Sequence, residues 1–252
     1  MNRPIVAGLA LLWSCVAVAA PPPAAPAPKV IDDFDDMAQW RLELSDQVSG
    51  SLRNVAGAAG GRAMCLDYDF HEVSGYVGVR RALNIDYPAN YRFGLQLRGD
   101  SPGNDLQFKM IDASGDNVWW VNRPGYAFPK AWTPVEFRKR HIEKAWGPSP
   151  EKELKRSAAL EFTLYSKVGG RGTVCFDRLT LQGLPAQDDS PLQPQVLADT
   201  ATALQERMID GKADTFWVSG GVKQQTISLD LGKPREVGGA VIDWLPGLEA
   251  SK

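Results

Sequence analysis

The sequence predicts an all-β protein, with one complete β-sandwich followed by the opening part of a second. Three observations carry this. Short runs of alternating apolar and polar residues recur from Val30 to Leu184; turn-forming glycine, proline and asparagine clusters separate them; and almost no segment has helical periodicity. Many short strands with regular turn punctuation close as a sandwich or barrel.

The chain opens with a segment that reads as a signal peptide over residues 1–19. Arg3 and the α-amine supply a positive start, Ile5 to Val18 is apolar, and Ala17-Val18-Ala19 has the small-x-small pattern of a cleavage site. The apolar run falls short of the roughly 20 residues that a spanning helix needs. A retained anchor, or a lipoprotein processed at Cys15, would be the alternative. Residues 20–29 form a Pro/Ala linker: proline fixes φ and removes donors, so an extended spacer is expected. These features place the protein outside the cytoplasm, secreted or periplasmic.

Residues 30–184 make up the complete sandwich. Strands are expected at 30–34, 49–54, 63–70, 76–82, 91–98, 105–111, 117–122, 134–140, 158–164 and 173–183. Alternation places Met64, Leu66, Tyr68 and Phe70 on one face, as it does Phe93, Leu95 and Leu97, and again Leu106, Phe108 and Met110. Residues 149–160, with Pro150 near their start and Glu151, Lys152, Glu153 and Lys155 among them, form a weak helix candidate. Residues 185–195 are a polar, proline-bearing linker, and 196–252 begin the second unit.

Composition narrows the function. A formal net charge of −2 with signs interspersed excludes the basic stripe of a nucleic-acid binder. No apolar run beyond the signal is long enough for a membrane span. Removing the signal leaves Cys65 and Cys175, which permit one disulfide in an oxidising compartment. A sandwich of this size can bury enough apolar surface without a staple, so two buried thiols are expected. His71 and His141 are the only histidines and lack metal-ligand spacing.

The centre of the sandwich carries the binding candidates. Asn104 to Trp120 reads as a hairpin whose Asp112-Ala113-Ser114-Gly115 turn ends on a glycine suited to positive φ. If Leu106, Phe108 and Met110 fill the core, Gln107 and Lys109 point the other way, with Gln96 and Arg98 expected beside them on a neighbouring strand. Only one of Trp119 and Trp120 can be buried, and Trp120 is taken as the outer one. Arg98, Gln107, Lys109, Trp120 and Trp146 are therefore the candidate ligand residues. Rings would stack a sugar while the polar groups hydrogen-bond its hydroxyls. A solvated sheet face with one packing tryptophan is the competing reading.

Together with Ile31 to Phe34, Gly75-Tyr76, Arg140-His141-Ile142, Ala145-Trp146-Gly147-Pro148 and Gly172 to Asp177, this hairpin resembles the jelly-roll, galactose-binding-like modules of bacterial polysaccharide-acting proteins. It is similar to the family-eleven-type carbohydrate-binding modules and related domains. The resemblance implies a non-catalytic module that binds a polysaccharide or glycoconjugate, as a monomer, and holds a glycoside-hydrolase-type domain against its substrate. It also implies a structural Ca²⁺, which takes hard oxygen ligands, and Asp32, Asp33 and Asp177 lie at the matching strand ends. The same aspartates would equally serve as a solvated acidic strand entrance.

From Val196 on, Asp210-Gly211, Thr215 to Ser219, Ile227 to Gly232 and Val241 to Trp244 resemble the first part of a discoidin (coagulation factor V/VIII C-type) module. By that resemblance Asp210, Asp214 and Thr215 belong to a calcium loop, and the module is a truncated one. Strands are expected near 225–231 and 237–244. Catalytic signatures are thin: no Gly-x-Ser-x-Gly elbow occurs, and the acidic residues cluster in turns rather than opposing one another. The enzymatic alternative is a lyase using Arg98, Lys109, His141 and Tyr126. An adhesion module binding protein or lipid is the other alternative.

Overall fold

The computed structural model describes residues 25–245 apart from 59, 187, 189, 200–203, 220–224, 234 and 236. Residues 1–19, read from the sequence as a signal peptide, lie outside the described residues. Twelve strands build the sandwich: β1 (Lys29–Asp32), β2 (Trp40–Leu44), β3 (Ser49–Ala56), β4 (Arg62–Asp69), β5 (Gly75–Asp86), β6 (Tyr91–Asp100), β7 (Asn104–Ile111), β8 (Val118–Tyr126), β9 (Thr133–Arg138), β10 (Glu143–Trp146), β11 (Arg156–Ser166) and β12 (Arg171–Gly183).

They divide into two six-stranded antiparallel sheets. The first runs β3-β4-β12-β6-β9, with β1 added along β12; the second runs β10-β8-β7-β11-β5-β2. Only the β3–β4 and β7–β8 hairpins pair sequence neighbours inside a sheet. Every other connection crosses between the sheets, as in the short turn from β6 to β7, except that from β10 to β11, which stays in the second sheet and passes β8 and β7.

Alternation puts one face of every central strand in the interior. Met64, Leu66, Tyr68 and Phe70, then Phe93, Leu95 and Leu97, then Leu106, Phe108 and Met110 are all buried, as their spacing predicts. The two sheets meet through aromatic rings. Phe162 of β11 stacks on Phe176 of β12 at 4.8 Å, and Phe93 of β6 meets Phe108 of β7 edge-on at 4.9 Å. Such pairs add to the burial that drives the sheets together.

Four local expectations need correction. Residues 149–160 form no helix: 147–155 is a loop pinned by buried Leu154, and β11 starts at Arg156. The Glu151–Lys155 pair at helical spacing does form, at 3.1 Å, but two neighbouring sheet strands claim the segment that follows. Strands β2 and β10 went unexpected because each is short and lies at a sheet edge. Cys65 and Cys175 are bridged, not free. They lie 110 residues apart, yet β4 and β12 are neighbours and the two cysteines sit directly opposite each other. Finally, the Pro/Ala linker is tied at its end: Gln182 Nε2 donates to Pro26 O at 2.7 Å just before β1.

Beyond the sandwich, β13 (Gln195–Ala198) pairs antiparallel with β14 (Ile227–Asp230). Segment 237–245 has no strand, and Val237, Val241, Ile242 and Trp244 are exposed. Lys233 reaches Asp188 at 2.7 Å, which ties the segment after β14 to the linker. No helix among the described residues is long and apolar enough to cross a membrane.

Candidate functional site

The outer face of the second sheet gathers most of the candidate residues. Register places Glu143 of β10, Trp120 of β8, Lys109 of β7, Glu161 of β11, Arg80 of β5 and Arg41 of β2 in one cross-strand row. One step along, Asn122, Gln107, Thr163, Gly78 and Glu43 form the next row, and Tyr165 and Tyr76 pair in the row beyond. Each is the outward partner of a core residue on its own strand, so a single alternation sets the interior and this face together.

Charge in the row is organised around Glu161. Lys109 Nζ donates to Glu161 Oε1 at 2.9 Å, Arg80 Nε to Oε2 at 2.6 Å, and the Thr163 hydroxyl to Oε1 at 2.6 Å. The Glu161 side chain is only 3% exposed. Burial pushes its carboxyl up, but Lys109, Thr163 and Arg80 together hold it below the ordinary carboxylate value. Arg80 also reaches Glu43 at 3.5 Å, and Arg41 reaches Glu43 at 3.0 Å.

Aromatic rings stand around this network. Trp119 is buried and donates its indole N–H to Lys152 O at 2.8 Å, whereas Trp120 faces outward. Trp120 meets Trp146 edge-on at 5.6 Å, and its Nε1 donates to Glu143 at 3.3 Å. Trp146 is 48% exposed and Tyr76 is 42% exposed. The Lys109 ammonium lies between them, 5.8 Å from the Trp146 ring and 6.0 Å from the Tyr76 ring. These distances are at the outer reach of a cation–π contact. Gln107 is half-buried, and its side-chain amide makes no hydrogen bond to another described residue.

Trp146 owes its position to the turn that follows it. Gly147 has φ +122°, and a Cβ there would fall 2.4 Å from Asn117 Oδ1 and 2.6 Å from Asn117 Cα. Only glycine allows that approach. Asn117 in turn accepts from Ser149 N at 2.8 Å and donates to Asp112 Oδ2 at 2.8 Å, so the hairpin loop and the Trp146 turn brace each other.

Gln107, Lys109, Trp120 and Trp146 thus share one face, and Arg98 does not. Arg98 belongs to β6 in the first sheet, where its guanidinium lies 4.7 Å from the centre of the Trp132 ring. Sequence adjacency of 91–98 and 105–111 suggested neighbouring strands, but the turn between them changes sheets. The same separation parts Arg98 from Lys109 as a lyase pair. Glu161, Arg80 and Thr163 were not singled out from the sequence, and Tyr76 entered only through the Gly75-Tyr76 pair of the resemblance. Their signal was present in 158–164, where Glu161 and Thr163 alternate with Leu160, Phe162 and Leu164.

Most of the carboxylates considered for Ca²⁺ are engaged by donors of the protein itself. Asp32 is buried and already accepts from Phe34 N at 2.7 Å, from Trp40 Nε1 at 2.8 Å and from Arg81. Asp33 accepts from Asp35 N at 3.2 Å, and Asp177 from Ala58 N at 2.6 Å. Asp210 accepts from Lys212 N and from the Thr215 hydroxyl, and these contacts, the Lys212 N–H foremost, hold its carboxyl below the usual range. Asp214 is exposed beside them. Among the described residues no three His, Cys, Asp or Glu side chains converge as a metal site.

No family model matches the chain, and no curated protein matches it. Solved structures do. The family 11 carbohydrate-binding module of a cellulosomal cellulase of Clostridium thermocellum matches with TM-score 0.52 and 17% identity, covering 64% of this chain and 97% of that module. A family 11 module from Clostridium thermocellum in complex with a β-1,3-1,4-mixed-linked tetrasaccharide matches with TM-score 0.52 and 18% identity, covering 64% and 98%. Identity this low establishes the fold: a β-sandwich of the kind found in carbohydrate-binding modules.

Proposed function

We propose that the protein binds a polysaccharide without cleaving it, through the outer face of the second sheet. The observation that carries this is the grouping of outward-facing rings around a fixed ammonium and one uncommitted amide. Trp146, Tyr76 and Trp120 surround Lys109, and the Gln107 amide lies free beside them. Indole and phenol rings offer flat surfaces to the apolar faces of sugar rings, while amide and charged groups answer hydroxyls. The face is an open sheet, a shape suited to a chain lying across the strands. The tetrasaccharide held by the similar family 11 module makes mixed-linked β-glucan a first probe.

The finer reading adds export to the periplasm or beyond, and a discoidin-like second unit from residue 196. Two weak sites on one chain would raise effective concentration on a polymer, and an attached catalytic domain would gain residence on its substrate. A glycan array with the intact protein tests the central claim. Binding of neutral or acidic polysaccharides that is lost in Trp146→Ala supports it. Silence across the array, with capture of a protein or lipid partner instead, would replace it with the adhesion reading.

A further inference from the structure

The first sheet carries a second feature that the outer-face reading does not use. At the end of that sheet, β4, the β6–β7 turn, the segment before β9 and the start of β12 line an open, shallow groove of about 550 Å³. This lies within the usual range of small-ligand sites. Its lining includes Asp67, Asp100, Ser101, Lys130, Arg171 and Thr173. The walls are braced. The Tyr68 hydroxyl is 2.7 Å from Ser101 Oγ and accepts from Asn104 Nδ2 at 2.9 Å. A Cβ on Gly172 would fall 2.7 Å from Asp100 O and 2.9 Å from Ser101 Cα, so glycine is what lets β12 close against the turn.

The charges in the groove cancel except for one. Asp67 is spent on Arg53, which donates to both its oxygens at 2.6 and 3.2 Å, and on the Thr173 hydroxyl at 2.5 Å. Lys130 pairs with Asp100, both side chains being largely in solvent. Asp69, opposite Arg171 in the β4–β12 register, turns instead to the His71 N–H at 2.8 Å. Arg171 has no carboxylate, hydroxyl or carbonyl partner among the described residues. A free planar guanidinium matches a carboxylate with two parallel hydrogen bonds. The remaining lining is oxygen-rich, and it accepts hydroxyl donors. Asp67 and Asp100 disfavour a multiply charged anion such as phosphate.

We propose that this groove is a separate ligand site for a singly charged, polyhydroxylated acid: a uronate-type sugar residue whose carboxylate docks on Arg171 and whose hydroxyls meet Ser101, Thr173 and Asp100. The assignment is independent of the outer face.

Amide NMR of the isotope-labelled protein titrated with a disaccharide of one galacturonate and one galactose, which carries a single carboxylate, and separately with the neutral galactose disaccharide, tests it. The acidic disaccharide should shift the Ser101, Gly172 and Thr173 amides saturably. Arg171→Ala should weaken that binding roughly tenfold, the loss expected for one charge-assisted pair. Lys130→Ala, a second exposed variant, should weaken it less, and Trp146→Ala should leave it unchanged. Unmoved amides in the wild type, equal binding of the neutral disaccharide, undiminished binding by a folded Arg171→Ala protein, or loss in Trp146→Ala would each overturn the assignment. The last result would place the acidic sugar on the outer face instead.

Discussion

Lys109→Met is the sharpest probe of the ion-pair network under the aromatic rings. It removes one of the two cations that hold the Glu161 carboxylate and keeps the length of the side chain. Breaking a buried pair on one side costs about 3–5 kcal/mol. Here Arg80 and Thr163 remain in contact with Glu161, and the Arg80 side chain is 31% exposed, so about 2–3 kcal/mol is expected. For a domain of this size that corresponds to a fall of roughly 5–10 °C in Tm. The sign of the pH dependence follows from the carboxyl. Its folded pKa lies below the ordinary value near 4.3, so its stabilising contribution is complete above that value and is lost as pH falls through the folded pKa. Without Lys109 the depression shrinks. The stability gap between wild type and variant should therefore be widest near pH 7 and should narrow below about pH 4. Guanidinium denaturation at pH 7 and pH 3 measures it. A gap under about 0.5 kcal/mol at pH 7, or one that does not change with pH, would refute the network as described.

Other outcomes follow from the same geometry. Trp146→Ala and Trp120→Ala should each weaken polysaccharide retention in affinity electrophoresis by about tenfold, as truncating a central aromatic contact does, while Trp132→Ala, in the segment before β9 beside Arg98 of the other sheet, should not. Thiol titration of the unreduced, denatured protein should find neither Cys65 nor Cys175 free. Replacing both cysteines should cost about 2–5 kcal/mol, since the bridge closes a loop of 110 residues. Gly147→Ala should destabilise the protein by about 1–3 kcal/mol, through the clash with Asn117 and the positive φ. It should also weaken glycan binding by displacing Trp146, and unchanged binding in a folded variant would show that the turn does not set the ring's position.

What the residues alone determined was the parity of each strand. Apolar and polar side chains alternate through 64–70, 93–97 and 106–110, and water rejects only the apolar set, so the buried faces and the sandwich class were legible without coordinates. The outward direction of Gln107 and Lys109 followed from the same rule. Which of the two adjacent indoles goes inside did not, and packing seated Trp119 in the core with its N–H on Lys152 O. Parity carries no information about which strands become neighbours. Arg98 and Lys109 both point outward, but from opposite sheets, because the chain crosses over between them. Cys65 meets Cys175, and Lys109 meets Glu161, only because β12 lies beside β4 and β11 beside β7. Those contacts join distant stretches of chain. They form because burying two apolar sheet faces against each other outweighs the entropy of closing long loops, a balance struck over the whole tertiary structure and not within any local segment.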